Sequence, residues 1–521
     1  MESGRSLADR PRVAVVTFTD MRDEGISSEA VERHLRDRQE ELARYLAANG
    51  VEAVDPLREL RAGGSSWYGV RSFAEIDLLL GILGRGRVDG VIIGSWTWSP
   101  PMLVKEFIRK VARPVLYYTE NDPMGGSLSQ MTATCSSLME WSVNRYALIH
   151  ERCFGDRPAL LSWARGVHAA AALRESSAML WGGTYAVRME QLQDDIPLLK
   201  SFMVRDVLQE DQYVLVRRAE EIIRSQPDRL RALYDWMGGH GLQIHRDPTM
   251  VTPEALAKQG ALLLAARDRL RELASENVRG VSIKCQPEIY AEWGVNACTL
   301  PALLPFAENE QGPQAALPTV CEGDLKGLLT SMLFHAINPD VPPAFGDLVS
   351  AGDDHVEFAN CGAGSLFWAA NSSRPSDVFP RVKAVANIHG RSGAAYEYCG
   401  VAAPAITVGR LTRINGCYYM QLGTGRELDA RAFLARTLGD REPAHLAGTW
   451  GKVIVDLGVR AATFVKVIGA NHLSATLGDV TAEVETACRI WGIPVVRLDS
   501  NEAMERFYQE VRTVGVRGYA G

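Results

Sequence analysis

From Arg12 onward the chain repeats one pattern: a short β-branched apolar run, RVAVVTFT, an amphipathic stretch from Ile26 to Asn49, and a second run, VEAVDP. That is strand, helix, strand. The alternation continues through VDGVIIGSW (Val88–Trp96), the apolar PMLVKEFIRKVA and PVLYYTE (Pro114–Glu120). Parallel strands need long crossover connections, which helices supply, and a sheet covered on both faces reads as continuous apolar runs. The pattern predicts an open, Rossmann-like α/β domain over residues 1–153.

A second α/β domain is expected over 154–338. It has helical patterns near Gln212–Trp236 and Pro253–Glu276, a strand GVSIKC (Gly280–Cys285), a helix from about Val295 and a strand LPTVCEG (Leu317–Gly323). After about Pro339 Gly and Pro become frequent, and the short runs HVEFANCG, VKAVANIHG, APAITVGRLTRING and CYYMQLGTGREL replace long helices. Residues 339–521 therefore read as a β-rich C-terminal domain, with one more helical pattern near Thr476–Trp491 before IPVVRLD. Three domains also suit 521 residues, too many for a single core.

A composition of 46% hydrophobic and 23% charged residues is that of an ordinary globular protein and argues against disorder, collagen-like sequence and coiled coil. The formal net charge of -7 leaves no cationic excess for a phosphate backbone or an anionic membrane surface. Nucleic acid and membrane are poor partners. The first apolar run holds Thr17 and Asp20 and lacks a small-residue cleavage site, unlike a signal peptide. Nine scattered cysteines without a CxxC pair argue against a disulfide framework or a structural zinc site and suggest a reducing cytoplasm.

Several chemistries are excluded by motif. The turn after the first strand reads TFTDMRDEG and lacks the glycines of a dinucleotide site; no GxxxxGK[ST], GxSxG or HExxH occurs. Acidic residues at strand ends remain. In PTVCEGDLKGLLTSMLF an apolar strand runs into Glu322, Gly323 and Asp324 before an apolar helix, at the carboxyl end where open α/β sheets gather ligands. Asp324 reads first as a helix N-cap, and Glu322 is either a solvated loop acid or a ligand. Asp347 in PPAFGDLVSAG is a carboxylate in apolar surroundings, either an ordinary turn residue or one paired with a metal. His472 in FVKVIGANHLSATLGDV follows a strongly apolar strand candidate and is either a satisfied loop histidine or a functional one. Brought together from three strand ends, two carboxylates and one imidazole would make a hard O/N site for Mn²⁺ or Mg²⁺.

At these segments the sequence resembles the L-fucose isomerase family, which also acts on D-arabinose. The resemblance rests on CEGDLKGLLT, on FGDLV 25 residues later, and on GANHLSATLGDV followed by a helix and IPVV. It implies Glu322, Asp347 and His472 as ligands of Mn²⁺, with Mg²⁺ or another divalent ion as alternatives, and Glu322 and Asp347 also as the catalytic acid/base pair. It further implies substrate contacts from Gln286 in IKCQPEIYAEW and Asn471 beside the histidine, and from Arg22 in TDMRDEG, resembling an arginine that reaches a neighbouring subunit's site. Trp96 in GSWTWSPP is a candidate platform for a sugar's apolar face, or a core residue. Where the family carries Asn-Ser-Gly this chain has Asn360, Cys361 and Gly362.

The activity implied is aldose–ketose isomerisation by proton transfer through a cis-enediol, on L-fucose, D-arabinose or a related aldose, in a homo-oligomer that is a hexamer by family resemblance. Alternatives are the same chemistry on another, anionic sugar, or a catalytically silent sugar-binding protein. Arg391, Tyr396 and Arg410 are candidates for ring opening and, where they face the pocket, for contacts to an anionic group, or else are solvated or structural residues.

Overall fold

The computed structural model describes residues 10–21, 28–62, 67–122, 125–140, 150–184, 186–387, 392–438 and 450–514. They fall into two compact units, one from Ala8–Ala171 with Ala482–Gly492, the other from Ala172–Thr481 with Ile493–Gly521.

In the first unit five strands, all parallel, run in the order Glu52–Val54, Arg12–Thr17, Gly90–Gly94, Val115–Thr119, His150–Phe154. The two runs expected to be covered on both faces, Gly90–Gly94 and Val115–Thr119, are buried at every residue. The crossover helix begins at Glu29, where the Ser28 hydroxyl accepts from the Val31 N–H and so fixes the first turn. The Rossmann-like reading of this region holds.

The second unit contains a four-stranded parallel sheet and a β-barrel over one continuous core reaching from Met179 to Phe507. The parallel sheet runs Thr319–Cys321, Val278–Ile283, Ser177–Trp181, Asp206–Glu210. Its last two strands carry no alternation and escape a reading by pattern. The barrel closes six antiparallel strands in the circular order Ala403–Ile414, His472–Leu477, Ala344–Gly352, His355–Ala359, Lys452–Asp456, Cys417–Leu428 and back. Closure leaves none of these six as a bare edge, and Val495–Arg497 joins alongside Cys417–Leu428. The β-rich texture after Pro339 is this barrel.

Three local expectations are corrected. The apolar run FVKVI is not a strand: Ala461–Val467 is a helix that buries Thr463, Phe464 and Val467 on one face while Val465 points to solvent. A short apolar run fits either period, and packing decides. Consequently His472 does not end a strand but begins one, His472–Leu477, and Thr476 lies within it; the helix follows at Thr481–Trp491. The helix expected from about Val295 is a short one, Thr299–Leu303.

One barrel residue sets a pH dependence. Burial pushes the Glu427 carboxyl up from 4.5 to about 8, against the hydrogen bond it receives from Asn371. The folded chain then keeps a proton that the unfolded chain releases, so Glu427 removes stability as pH rises from about 4.5 to about 8. Glu427→Gln should raise the denaturant midpoint at the top of that window and leave it unchanged at the bottom. A difference between the two proteins that is constant with pH would contradict this.

Candidate metal centre

The strand Thr319–Cys321 ends on Glu322, which pairs its N–H with the Ile283 carbonyl at 2.8 Å and then leaves the sheet with a φ of 65°. A non-glycine residue in that region costs of order 1–3 kcal/mol and persists only where its surroundings impose it. Gly323 follows at φ 69°, so close to the neighbouring chain that an added Cβ would lie 2.2 Å from the Gly183 carbonyl oxygen. The two residues turn the chain sharply, and Asp324 then caps the helix Leu325–Ile337, accepting from the Gly327 N–H at 2.8 Å.

Asp347 and His472 arrive by another route. They are directly opposed in the antiparallel ladder between Ala344–Gly352 and His472–Leu477, and such pairs hold their Cβ atoms about 4.5–5.5 Å apart on one face of the sheet. Gly346, just before Asp347, permits close strand approach: a Cβ there would meet the Ala359 carbonyl carbon at 2.6 Å. The Phe345 ring lies against the imidazole, with centroids 4.8 Å apart.

These elements bring Glu322, Asp347 and His472 together, one ligand atom from each lying within 4.8 Å of the others. His472 Nε2 is 3.2 Å from Glu322 Oε2 and 3.3 Å from Asp347 Oδ1. Glu322 and His472 are buried and Asp347 is about one-fifth exposed. Of the three residues expected at strand ends, only Glu322 follows one; Asp347 lies inside a strand and His472 opens one. Glu322 Oε2 and His472 Nε2, both buried, find no well-formed hydrogen bond among the described residues. Two carboxylates and an imidazole converging with orphaned atoms suit a hard or borderline divalent cation with positions left for oxygen ligands.

Around the three is a layer that the sequence revealed only partly. Asp324 is the expected N-cap, and its second oxygen also meets His472 Nδ1 at 2.7 Å and the guanidinium of Arg410. Burial alone would push the Asp324 carboxyl up; the Arg410 charge and the His472 contact outweigh it and hold it well below the usual range. Burial pushes the His472 imidazole down, and its contacts with Asp324, Asp347 and Glu322 more than reverse this. A carboxylate behind a metal-binding histidine fixes its tautomer and its ring. Arg410 is thus corrected from a candidate sugar contact to a fully buried support of Asp324. Tyr396 is corrected likewise, being buried with its hydroxyl 3.4 Å from that of Thr299.

Asn471 donates to Asp347 Oδ1 at 2.7 Å and accepts from Gln191 at 3.0 Å, so it orients a carboxylate of the cluster. Gln286 is half-buried just beyond Ile283, the strand residue paired with Cys321 beside Glu322. Cys361 donates to Glu322 Oε1 at 3.4 Å. Trp96 serves the interior of the first unit: it is 1% exposed, donates to Gln39, meets Tyr118 edge-on and lies under Arg38. With its ring packed in this interior, Trp96 is the core residue of the two readings and not the sugar platform. Arg22 and Arg391 fall outside the described residues.

Residues 358–499 match the sequence model described as "L-fucose isomerase, C-terminal domain". This C-terminal stretch is similar to the C-terminal domain of the L-fucose isomerase family. The matched region contains Cys361, Asn471 and His472, while Glu322 and Asp347 precede it. The chain is also 24% identical over 235 residues to a sulfoquinovose isomerase of Alkalicoccus urumqiensis, a stretch covering 44% of this chain and 46% of that protein. It is 25% identical over 219 residues to sulfoquinovose isomerases of Priestia aryabhattai and Priestia megaterium, covering 40% of this chain and 42% of theirs. The chain thus spans less than half the length of these relatives. No helix among the described residues is long and apolar enough to cross a membrane.

Asp324→Asn tests the layer behind His472. Asparagine still caps a helix well, but its loss of charge weakens the hold on His472, and Mn²⁺ affinity should fall about 10–100-fold in titration calorimetry. Arg410 would be left unbalanced, at a cost of about 3–5 kcal/mol by denaturant unfolding. An unchanged Mn²⁺ affinity would show that Asp324 supports only the fold.

Proposed function

We propose that this protein is a metal-dependent aldose–ketose isomerase in which Glu322, Asp347 and His472 hold a divalent cation, Mn²⁺ or an ion of similar hardness. The observation that carries the reading is the convergence of these three side chains, with unpartnered buried atoms on Glu322 and His472, beside a domain of the L-fucose isomerase family. A bound cation would polarise the carbonyl and the adjacent hydroxyl of an open-chain aldose, which acidifies the C2 proton.

The chain's own groups then do the rest. One of the two carboxylates takes the proton from C2 as O1 gains one, giving a cis-enediol, and the other acid returns a proton at C1 as O2 releases its own, so that each proton lost is regained on the neighbouring atom pair. Glu322 has an oxygen, Oε1, turned away from His472 towards Cys361; Asp347 has Oδ1 fixed by Asn471. His472, clamped by Asp324, holds position rather than moving a proton. Gln286 and Asn471 bind sugar hydroxyls in this reading, and Arg22 completes the site in an assembly of several copies, a hexamer as in the family. We assign the enzyme to the cytoplasm and retain the division near residues 153 and 338 as its modular plan.

Two substrate classes fit. One is L-fucose, D-arabinose or a related neutral aldose, as the family name suggests. The other is a sulfonated hexose, favoured by the shared name of the relatives in Alkalicoccus and Priestia. Ketose formation by Mn²⁺-loaded protein from a panel of pentoses, 6-deoxyhexoses and 6-sulfonated or 6-carboxylated hexoses decides between them, and no turnover of any aldose overturns the isomerase reading.

Two outcomes are expected with the active sugar. Glu322→Gln and Asp347→Asn should each lower kcat by about 10²–10⁴ with the fold intact by circular dichroism, the range for loss of a proton-transfer group. Product formed in deuterium oxide should carry deuterium at C1; its complete absence would exclude the enediol in favour of a hydride shift.

A further inference from the structure

The Glu322 carboxylate has two faces, and only one is turned to the centre described above. Oε2 lies 3.2 Å from His472, whereas Oε1 accepts from the Cys361 thiol at 3.4 Å. On that second side stands another group of potential ligands. Cys321, Glu322 and Cys361 are all buried, and one ligand atom from each lies within 4.8 Å of the others. Glu322 is the one residue the two groups share.

The thiols are placed by separate elements. Cys321 is the last residue of the strand Thr319–Cys321, and Cys361 follows the barrel strand His355–Ala359 by two residues. Asn360 between them ties the pair together, its Oδ1 accepting from the Cys321 thiol at 3.5 Å. None of the nine cysteines is in a disulfide. No CxxC motif marks the cluster, because the spacing of its members is that of the fold.

Two thiolates and a carboxylate are a different donor set from two carboxylates and an imidazole. Sulfur ligands select zinc and softer ions over manganese and magnesium. Zinc sits about 2.3 Å from sulfur and about 2.0–2.2 Å from a carboxylate oxygen, so in a tetrahedral site its ligand atoms are about 3.5–3.8 Å apart. The 3.4 Å between Cys361 Sγ and Glu322 Oε1 is already close to that spacing. We propose that Cys321, Cys361 and Glu322 Oε1 form a second metal position, selective for zinc or cadmium, that shares the Glu322 carboxylate with the Glu322–Asp347–His472 centre. A fourth ligand would be water. Resting on the isomerase reading, a consequence follows for activity: an ion on Oε1 occupies the oxygen left for proton transfer, so zinc inhibits turnover without displacing the hard cation.

The test uses the full chain carrying Cys417→Ser, which removes the exposed thiol, titrated with cadmium alone and followed by thiolate-to-cadmium charge-transfer absorption. The band should saturate at one cadmium per chain, lose at least tenfold in affinity in Cys361→Ser, and survive in Asp347→Asn, which lies outside the thiol set. No band in the parent, or an undiminished one in the Cys321→Ser/Cys361→Ser double variant, overturns the proposal. Should the serine variants fail to fold, X-ray absorption of the unsubstituted protein with one zinc decides: two sulfurs in the first shell are expected, and a shell of oxygen and nitrogen only overturns it. Zinc should also inhibit sugar isomerisation by the parent and lose that effect in Cys361→Ser. A chain inactive on every sugar refutes the isomerase reading, while the cadmium band still decides the thiol site.

Discussion

A carboxylate with no access to water must balance its charge inside the protein, and Asp324 does so with three partners. It accepts from the Gly327 N–H in the first turn of the helix Leu325–Ile337, it contacts the imidazole of His472, and it pairs with Arg410. Each partner comes from a different element: the helix after the parallel sheet and two neighbouring strands of the barrel. Because one side chain is bound to all three, the helix start, the histidine ring and the barrel wall are located relative to each other. Charge also explains the choice of residue. An asparagine would cap equally well, but only an anion can balance the Arg410 guanidinium while also accepting from the imidazole of His472.

The candidate centre then rests on two kinds of backbone geometry. Glu322 is delivered by a strained turn, at positive φ and braced by a glycine pressed against the Gly183 carbonyl. Asp347 and His472 are delivered by ladder register, without strain. The carboxylate on the strained turn has no freedom to follow a ligand, while Asp347, partly exposed and steadied by Asn471, is the member nearest to solvent.

The alternation of the first 120 residues was legible because parallel strands are covered on both sides and read as unbroken apolar runs. The barrel was legible as texture only, since which strands pair, and that they close, depends on contacts far apart in sequence. The run around Phe464 and Val467 failed because a short apolar segment fits a helix as well as a strand. Glu322, Asp347 and His472 were found through the order of three motifs and the resemblance those carried. Spacing alone left each an ordinary acid or histidine. The partners behind them were not legible: nothing in GRLTR marks Arg410 as a buried counter-ion, and nothing in ANCG sends Cys361 to the far side of Glu322. Trp96 shows the converse, an aromatic in a suggestive motif that packing claims for the core.

The pairing of Asp347 with His472 constrains how such a chain can vary over generations. Side chains on a strand alternate faces, so losing or gaining one residue between Ala344 and Asp347 would turn the carboxylate to the opposite side of the barrel wall. The irregularity between Leu348 and Ser350 lies just past the aspartate. A length change absorbed there would spare the ladder that carries Asp347, whereas one on the other side would not. The early length of this strand is therefore fixed by register.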